Sequence, residues 1–414
     1  MKAEIITIGD ELLIGQTIDT NSAWIGWELS SAGFDVRRRT SIHDNRDEIL
    51  NALSEAAERK PELVIITGGL GPTSDDITKQ TLCEFFNTKL VPDREVLEMI
   101  EKMLRRRNFP MNENNRRQAE VPESCRVLPN AAGTAPGMWF EKDGTIFISM
   151  PGVPGEMKYI MQEHVLPDIK KRFRSQVIIH KNIMTYGMPE ARLAEILEQF
   201  EAELPENIKL AYLPSFGVIK LRLTGTAGTL NEIEPLIGAQ TSKLYNIIPD
   251  LIFGEDEQTP EMAVGQLLKI KKLTLSLAES CTGGFLAHRI TSVAGSSEYF
   301  AGSLVAYSNN VKTGILGIDP AILASDGAVS SRVAAGMAEG ARKLFKTDLG
   351  LATTGIAGPS GGSADKPVGM VWIAVSSDSG TITEKHIFST DRIANITRFS
   401  LAAMNLLRLQ IINS

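Results

Sequence analysis

Cysteine is scarce in this 414-residue sequence: Cys83, Cys125 and Cys281 are too few and too scattered for a disulfide framework. The five histidines (His43, His164, His180, His288 and His386) form neither a His-Glu-x-x-His motif nor any other zinc spacing. No apolar run approaches the ~18 residues of a membrane span. A signal peptide is not expected, because the chain enters a strand almost at once and carries Glu4 and Asp10 early. Positive charge is not in excess either. The formal net charge is −7, which gives no general footprint for nucleic acid. The basic runs at 37–39, 105–107 and 170–172 read mainly as solvated faces. Together these absences imply a reduced, cytoplasmic protein with no membrane partner and no specific nucleic acid.

What is present is a repeated alternation of strands and helices, which indicates parallel α/β sheets. The length suggests two or three domains. Residues 3–8 read as a strand that ends in Gly9, Asp10 and Glu11. Asn21 and Ser22 can cap a helix, a second strand follows near 34–39, and then a helix over 46–59. Residues 63–66 form a short buried strand that opens into a turn rich in glycine, with Gly68, Gly69, Gly71 and Thr73. Backbone N–H groups in such a turn, beside a helix N-terminus, commonly hold phosphate. Asp75 and Asp76 stand beside that presumed phosphate and would repel it without an intervening cation. Their composition argues for oxygen ligation of a divalent ion, with Asp10 and Glu11 completing the set. The plainer alternative is that Asp75 or Asp76 only caps the next helix.

The stretch 67–78 resembles the MoaB/MogA molybdopterin-binding fold. Residues 130–137 and 150–157, with Asn115, Gln118 and Ala119, are similar to the variant found in the CinA (competence/damage-inducible protein A) family. Leu70 stands where molybdopterin enzymes usually have threonine, which favours the CinA version. That resemblance implies an ADP-ribose pyrophosphatase dependent on Mg2+ or a transition metal. Its substrate would be held at Gly68, Gly69, Gly71 and Thr73, and its metal at Asp10, Glu11, Asp75 and Asp76.

From about residue 173 the pattern changes to alternating strands around an amphipathic helix (190–203), a small α+β module. The resemblance extends to residues 186–190, and the module reads as a spacer or dimer contact. A polar hinge follows at 251–260. The expected architecture is two parallel-sheet, three-layer α/β/α domains, 1–170 and 258–414, joined by a small α+β module at 171–250.

The chemistry concentrates after the strand that begins near Leu273. Leu273, Leu275 and Leu277 alternate with polar residues, and the strand then hands over to Glu279, Ser280, Cys281, Thr282, Gly283 and Gly284 before a helix. Ligands bind at such carboxyl ends of strands in open α/β sheets. Ser280 or Thr282 could instead only cap the helix. A second strand leads to Tyr307 and Lys312, and a third to the loop 355–362, with Gly355, Ala357, Gly358, Gly361 and Gly362. That loop frees enough N–H groups for a phosphate, and Arg392 offers a bidentate partner. Lys312 would serve as a general base if burial or a nearby cation lowered its pKa, and serine activated by lysine is a known alternative to the histidine triad. Cys281 is the rival nucleophile; on an extended exit it would face away from Ser280 and Thr282.

Residues 278–284, 295–297, 307–309, Lys312, 354–362 and 366–369 are similar to the C-terminal domain of the CinA family, the PncC-type nicotinamide-nucleotide amidase. The resemblance implies hydrolysis of nicotinamide mononucleotide to the nicotinate nucleotide and ammonia, with no cofactor. Ser280 would be the nucleophile and Lys312 its base. Tyr307 would sit in the proton relay, and N–H groups near Thr282 and Gly283 would form the oxyanion hole. Glu279, the 355–362 loop and Arg392 would bind substrate. A homodimer is expected. The competing readings are an N-terminal pyrophosphatase alone, or a non-enzymatic competence-associated scaffold.

Overall fold

The computed structural model describes residues 1–73, 76–173 and 177–414. It divides into two compact units, Met1–Ile179 with Thr226–Glu234, and His180–Gly225 with Pro235–Ser414. Among the described residues no helix is long and apolar enough to cross a membrane.

The first unit is built on β1 (Lys2–Ile8), β2 (Asp35–Ile42) and β3 (Leu63–Thr67). A two-stranded ladder of β4 (Leu90–Pro92) and β5 (Glu120–Pro122) stands apart. The main sheet is completed by β6 (Arg126–Leu128), β7 (Gly137–Lys142) and β8 (Thr145–Met150), in the order β2-β1-β3-β8-β7-β6. Strands β3 and β8 are buried along their whole length, as parallel strands covered on both faces must be. Period-2 alternation sends Ile5, Ile65 and Ile148 into a core with Ile25, Leu29 and Ile160, and sends Ile6, Ile66 and Phe147 into another with Ile49, Leu53 and Leu82. This is the expected three-layer α/β arrangement. The helix Thr20–Ser31 is capped by Asp19, which accepts from Ser22 N at 2.8 Å, and not by Asn21 or Ser22.

The sheet is mixed and not wholly parallel. β2, β1, β3 and β8 run parallel, whereas β7 and β6 are antiparallel. The cause is local. Asp143 and Gly144 both have positive φ (50° and 86°), the two-residue turn that folds β7 back against β8.

In the second unit a four-stranded sheet contains β9 (Val177–Tyr186), β10 (Ile208–Ser215), β11 (Val218–Ala227) and β12 (Ile252–Glu255), in the order β10-β11-β9-β12. A second sheet contains β13 (Leu275–Glu279), β14 (Phe300–Val305), β15 (Leu349–Gly355), β16 (Met370–Ser377) and β17 (Gly380–Ile387), in the order β14-β13-β15-β16-β17. β14, β13 and β15 are parallel, and β16 and β17 antiparallel. One face carries Leu275, Leu277, Leu351 and Ile373 against Val264, Phe399 and Leu407. The other carries the small residues Ala278, Ala352 and Ala374 against Met337, Ala338 and Ala341 of the helix Ser331–Phe345. That helix lies so close that a Cβ on Gly350 would run into the Ala338 carbonyl. The parallel strands β13, β14 and β15 all point their carboxyl ends at the same edge, where the site lies.

Candidate active site

The turn after β13 is held from inside by Glu279. Its side chain is fully buried (0% exposed). One oxygen accepts from Thr282 Oγ1 at 2.8 Å and from the N–H groups of Gly284 and Leu286 at 3.0 Å. The other accepts from Ala287 N–H at 2.9 Å and Ser303 Oγ at 3.2 Å. Gly283 and Gly284 (φ 60° and 97°) take the left-handed conformations that let the chain double back over this carboxylate. Glu279 thus satisfies the free amides that open the helix Phe285–Thr291. This corrects the expectation that it binds substrate: no part of it is left for a ligand.

The turn presents Ser280 and withdraws its neighbours. Thr282 is buried, its hydroxyl 2.7 Å from Thr353 Oγ1 and donating to Glu279. Cys281 lies in the turn, not on an extended exit, and burial pushes its thiol up to about 12, so it stays protonated. Ser280, half-buried, has Lys312 Nζ at 3.2 Å.

Lys312 sits on the short helix Asn309–Gly314, whose first turn is capped by Ser308. The side chain is 1% exposed. Nζ also donates to the carbonyls of Ala306 (2.6 Å) and Tyr307 (3.2 Å). No carboxylate pairs with it among the described residues. Burial lowers its pKa below the ordinary lysine value, which favours the neutral amine a general base requires. Its three contacts aim the nitrogen at Ser280.

Tyr307 does not stand in that relay. Its carbonyl, not its hydroxyl, meets Lys312; the ring is 63% exposed and the hydroxyl lies 3.4 Å from Arg392 Nη2. The expected oxyanion donors also need amending. Gly283 N–H is engaged with Ser280 O at 3.2 Å, whereas the Thr282 amide has no acceptor among the described residues.

The loop after β15 is tied down by the first turn of the last helix, Arg392–Asn413. Arg392 donates to Gly358 O at 2.8 Å. The fully buried Asn395 donates to Ala357 O (3.0 Å) and Ser389 O (2.7 Å) and accepts from Ser389 N–H (3.1 Å). Gly358 (φ 91°) has no room for a side chain, since a Cβ would stand 2.5 Å from Val368. Gly361 and Gly362 are exposed, and Gly355 is half-buried. The result is an open cradle of backbone beside one guanidinium. Sequence reasoning missed Asn395 and Thr353. A lone Asn early in a helix and a Thr inside a strand carry no signal until the loop positions are known.

The glycine-rich turn of the first unit is equally ordered. A Cβ on Gly68 (φ 117°) would meet the Ile8 carbonyl, and one on Gly69 (φ 64°) the Thr78 hydroxyl. Asp76 accepts from Gly71 N–H (2.7 Å), Thr73 N–H (2.9 Å) and Thr73 Oγ1 (2.5 Å). Its carboxylate therefore holds the turn. Asp10 accepts from His43 Nδ1 at 2.9 Å, and Glu11 is exposed. Asp75 lies outside the described residues. Among the described residues no group of three or more His, Cys, Asp or Glu converges. The donors that can be placed do not fit a metal centre, and no chemistry is routed through one.

Three family models match successive parts of the chain: "Probable molybdopterin binding domain" over 4–171, "Damage-inducible protein CinA KH domain" over 180–254, and "CinA C-terminal domain" over 257–411. A CinA-like protein of Cytophaga hutchinsonii is 48% identical over 99% of this chain and 98% of its own. One of Flavobacterium psychrophilum is 47% identical over 100% of this chain and 99% of its own. A solved structure of CinA from Thermoplasma acidophilum, 36% identical, covers 41% of this chain and 96% of its own with a TM-score of 0.37.

Proposed function

The chain belongs to the CinA family, and from that premise we propose that its C-terminal domain is an amidohydrolase that converts nicotinamide mononucleotide to nicotinate mononucleotide and ammonia. The observation that carries the reading is the buried Lys312 amine 3.2 Å from Ser280 Oγ. Neutral Lys312 takes the hydroxyl proton as Ser280 Oγ attacks the carboxamide carbon. The oxygen of the tetrahedral adduct gathers negative charge, which the Thr282 amide is free to stabilise. The carbon–nitrogen bond then breaks, and Lys312 returns the proton to the departing ammonia. Water attacks the acyl ester with Lys312 again as base, which releases the carboxylate and restores the serine. The 355–362 loop and Arg392 hold the phosphate, so binding energy at the non-reacting end positions the amide.

For the N-terminal domain we propose hydrolysis of ADP-ribose at the pyrophosphate. The support there is the glycine turn stiffened by Asp76 together with the family resemblance. The two readings separate by incubating the whole protein with each nucleotide in turn and following ammonia from nicotinamide mononucleotide and AMP from ADP-ribose. The amidase reading predicts ammonia release that survives chelation and disappears in Ser280→Ala. A Ser280→Ala protein with full activity would overturn the assignment.

A further inference from the structure

The second unit holds a cavity of about 370 Å3 between the β10–β11 hairpin, the segment 256–260 and the helices that carry Arg289 and Leu401. Its volume lies within the size range of small-molecule sites. None of its lining residues belongs to the turn 279–284, the 355–362 loop or the first unit. The walls are largely apolar. Met184, Leu213 and Val218 come from β9, β10 and β11, Phe253 from β12, and Leu401 from the last helix.

The charged groups in this space divide by sign. Asp256 is taken by Lys181 Nζ (2.6 Å) and Asn182 N–H (3.2 Å), and Glu257 is exposed. Lys220 is half-buried and forms no ion pair among the described residues. Arg289 Nη2 meets Glu261 Oε2 at 2.7 Å, with the two side chains only 16% and 12% exposed. The rest of that guanidinium lines the cavity without an acceptor among the described residues. A buried ion pair is favourable only when further hydrogen bonds satisfy its remaining donors. What this pair calls for is an acceptor on the cavity side.

The hairpin tip supplies an independent observation. Ser215 pairs with Val218, so Phe216 and Gly217 form a two-residue turn with φ of 31° and 84°. Such turns favour Asn or Asp before glycine. A bulky phenylalanine there is strained, and strain of this kind collects at ligand clamps. The Phe216 ring is 65% exposed, yet it lines this cavity and an adjoining one of about 290 Å3.

We propose that this cavity is a further small-molecule site of the chain and takes an aromatic acid with a single carboxylate. The ring lies against Phe216, Val218 and Leu401, and the carboxylate meets the planar fork of Arg289, with Lys220 as the second cation. A single carboxylate fits better than a phosphate, because the walls offer no other donors for a doubly charged group.

The test is calorimetric titration of the full chain with 2-naphthoate and, separately, with its neutral counterpart 2-naphthamide. The wild type is expected to bind 2-naphthoate about tenfold or more tighter than the amide, as a charge-assisted pair requires. Exchanging both members of the ion pair (Arg289→Gln with Glu261→Gln) avoids stranding a buried charge. That double variant should bind 2-naphthoate about tenfold or more weakly and leave 2-naphthamide unchanged. Phe216→Ala removes an exposed ring and should weaken both probes about two- to tenfold. Its unchanged melting temperature and amidase activity show that the chain is folded. Equal wild-type affinity for the two probes, no binding of either, or wild-type 2-naphthoate affinity in the double variant or in Phe216→Ala overturns the proposal.

Discussion

Replacing Glu279 by glutamine tests whether the catalytic turn is held from within or built for substrate. The substitution keeps size and removes one acceptor and the charge. The amide oxygen can occupy the place that meets Thr282, Gly284 and Leu286, and the NH2 then faces the Ala287 N–H that the second oxygen accepted at 2.9 Å. Leaving that buried amide unsatisfied costs about 1–3 kcal/mol. Losing negative charge at the start of the helix Phe285–Thr291 adds about 0.5–1 kcal/mol. A total of roughly 2–4 kcal/mol at ~2–4 °C per kcal/mol for a domain of this size lowers its melting temperature by about 5–15 °C. Differential scanning calorimetry of the whole protein reads this directly, with steady-state amidase kinetics alongside. The expected pattern is a lower melting temperature and a reduced kcat with little change in KM, because Ser280 is displaced while the phosphate cradle is untouched. An unchanged melting temperature with a raised KM would refute the reasoning and return Glu279 to the substrate.

Further outcomes follow from the same geometry. Lys312→Met should reduce kcat/KM by about 10²–10⁴-fold, the usual worth of a general base. In the wild type, kcat/KM should rise with pH to a midpoint below the ordinary lysine value of 10.5, because the catalytic form is the neutral amine and burial lowers its pKa. Stability has the same sign: between the lowered folded value and 10.5 the unfolded chain binds the extra proton, so stability rises with pH, and Lys312→Met should remove that slope from denaturation curves. Cys281→Ala should keep most amidase activity, and native protein should resist thiol alkylation at Cys281, since its pKa of about 12 leaves almost no thiolate at neutral pH; rapid inactivation by iodoacetamide with loss of Cys281 thiol would contradict this. Asn395→Ala should raise KM for nicotinamide mononucleotide more than it lowers kcat, because it frees the loop at Ala357 that forms the cradle.

The sequence patterns that survive folding are those with a single cause. Alternating apolar residues placed Leu275 and Leu277 in a buried strand, and the strand-to-helix handover at 279–284 marked the functional edge. Lys312 and the 355–362 loop stand at neighbouring strand exits, and the first of them reaches Ser280. What periodicity could not carry was the direction of individual polar side chains. Glu279 and Asp76 both stand beside glycine-rich turns, and both turn inward to backbone N–H groups of those turns; at Glu279 the left-handed Gly283 and Gly284 bring the amides round to it. Tyr307 differs for the opposite reason: only its carbonyl reaches Lys312, and its ring is left at the surface. The mixed character of the first sheet was present in the sequence as Asp143-Gly144, a hairpin signal lost among longer strand–helix alternations.

The most direct test of the central claim is mass spectrometry of nicotinamide mononucleotide after incubation with the purified full chain, with ammonia measured in the same reaction. The account predicts nicotinate mononucleotide and ammonia in equal amounts from the wild type, and a rate lower by roughly four orders of magnitude or more from Ser280→Ala. Release of free nicotinamide, or nicotinate mononucleotide formed by Ser280→Ala at the wild-type rate, would contradict it.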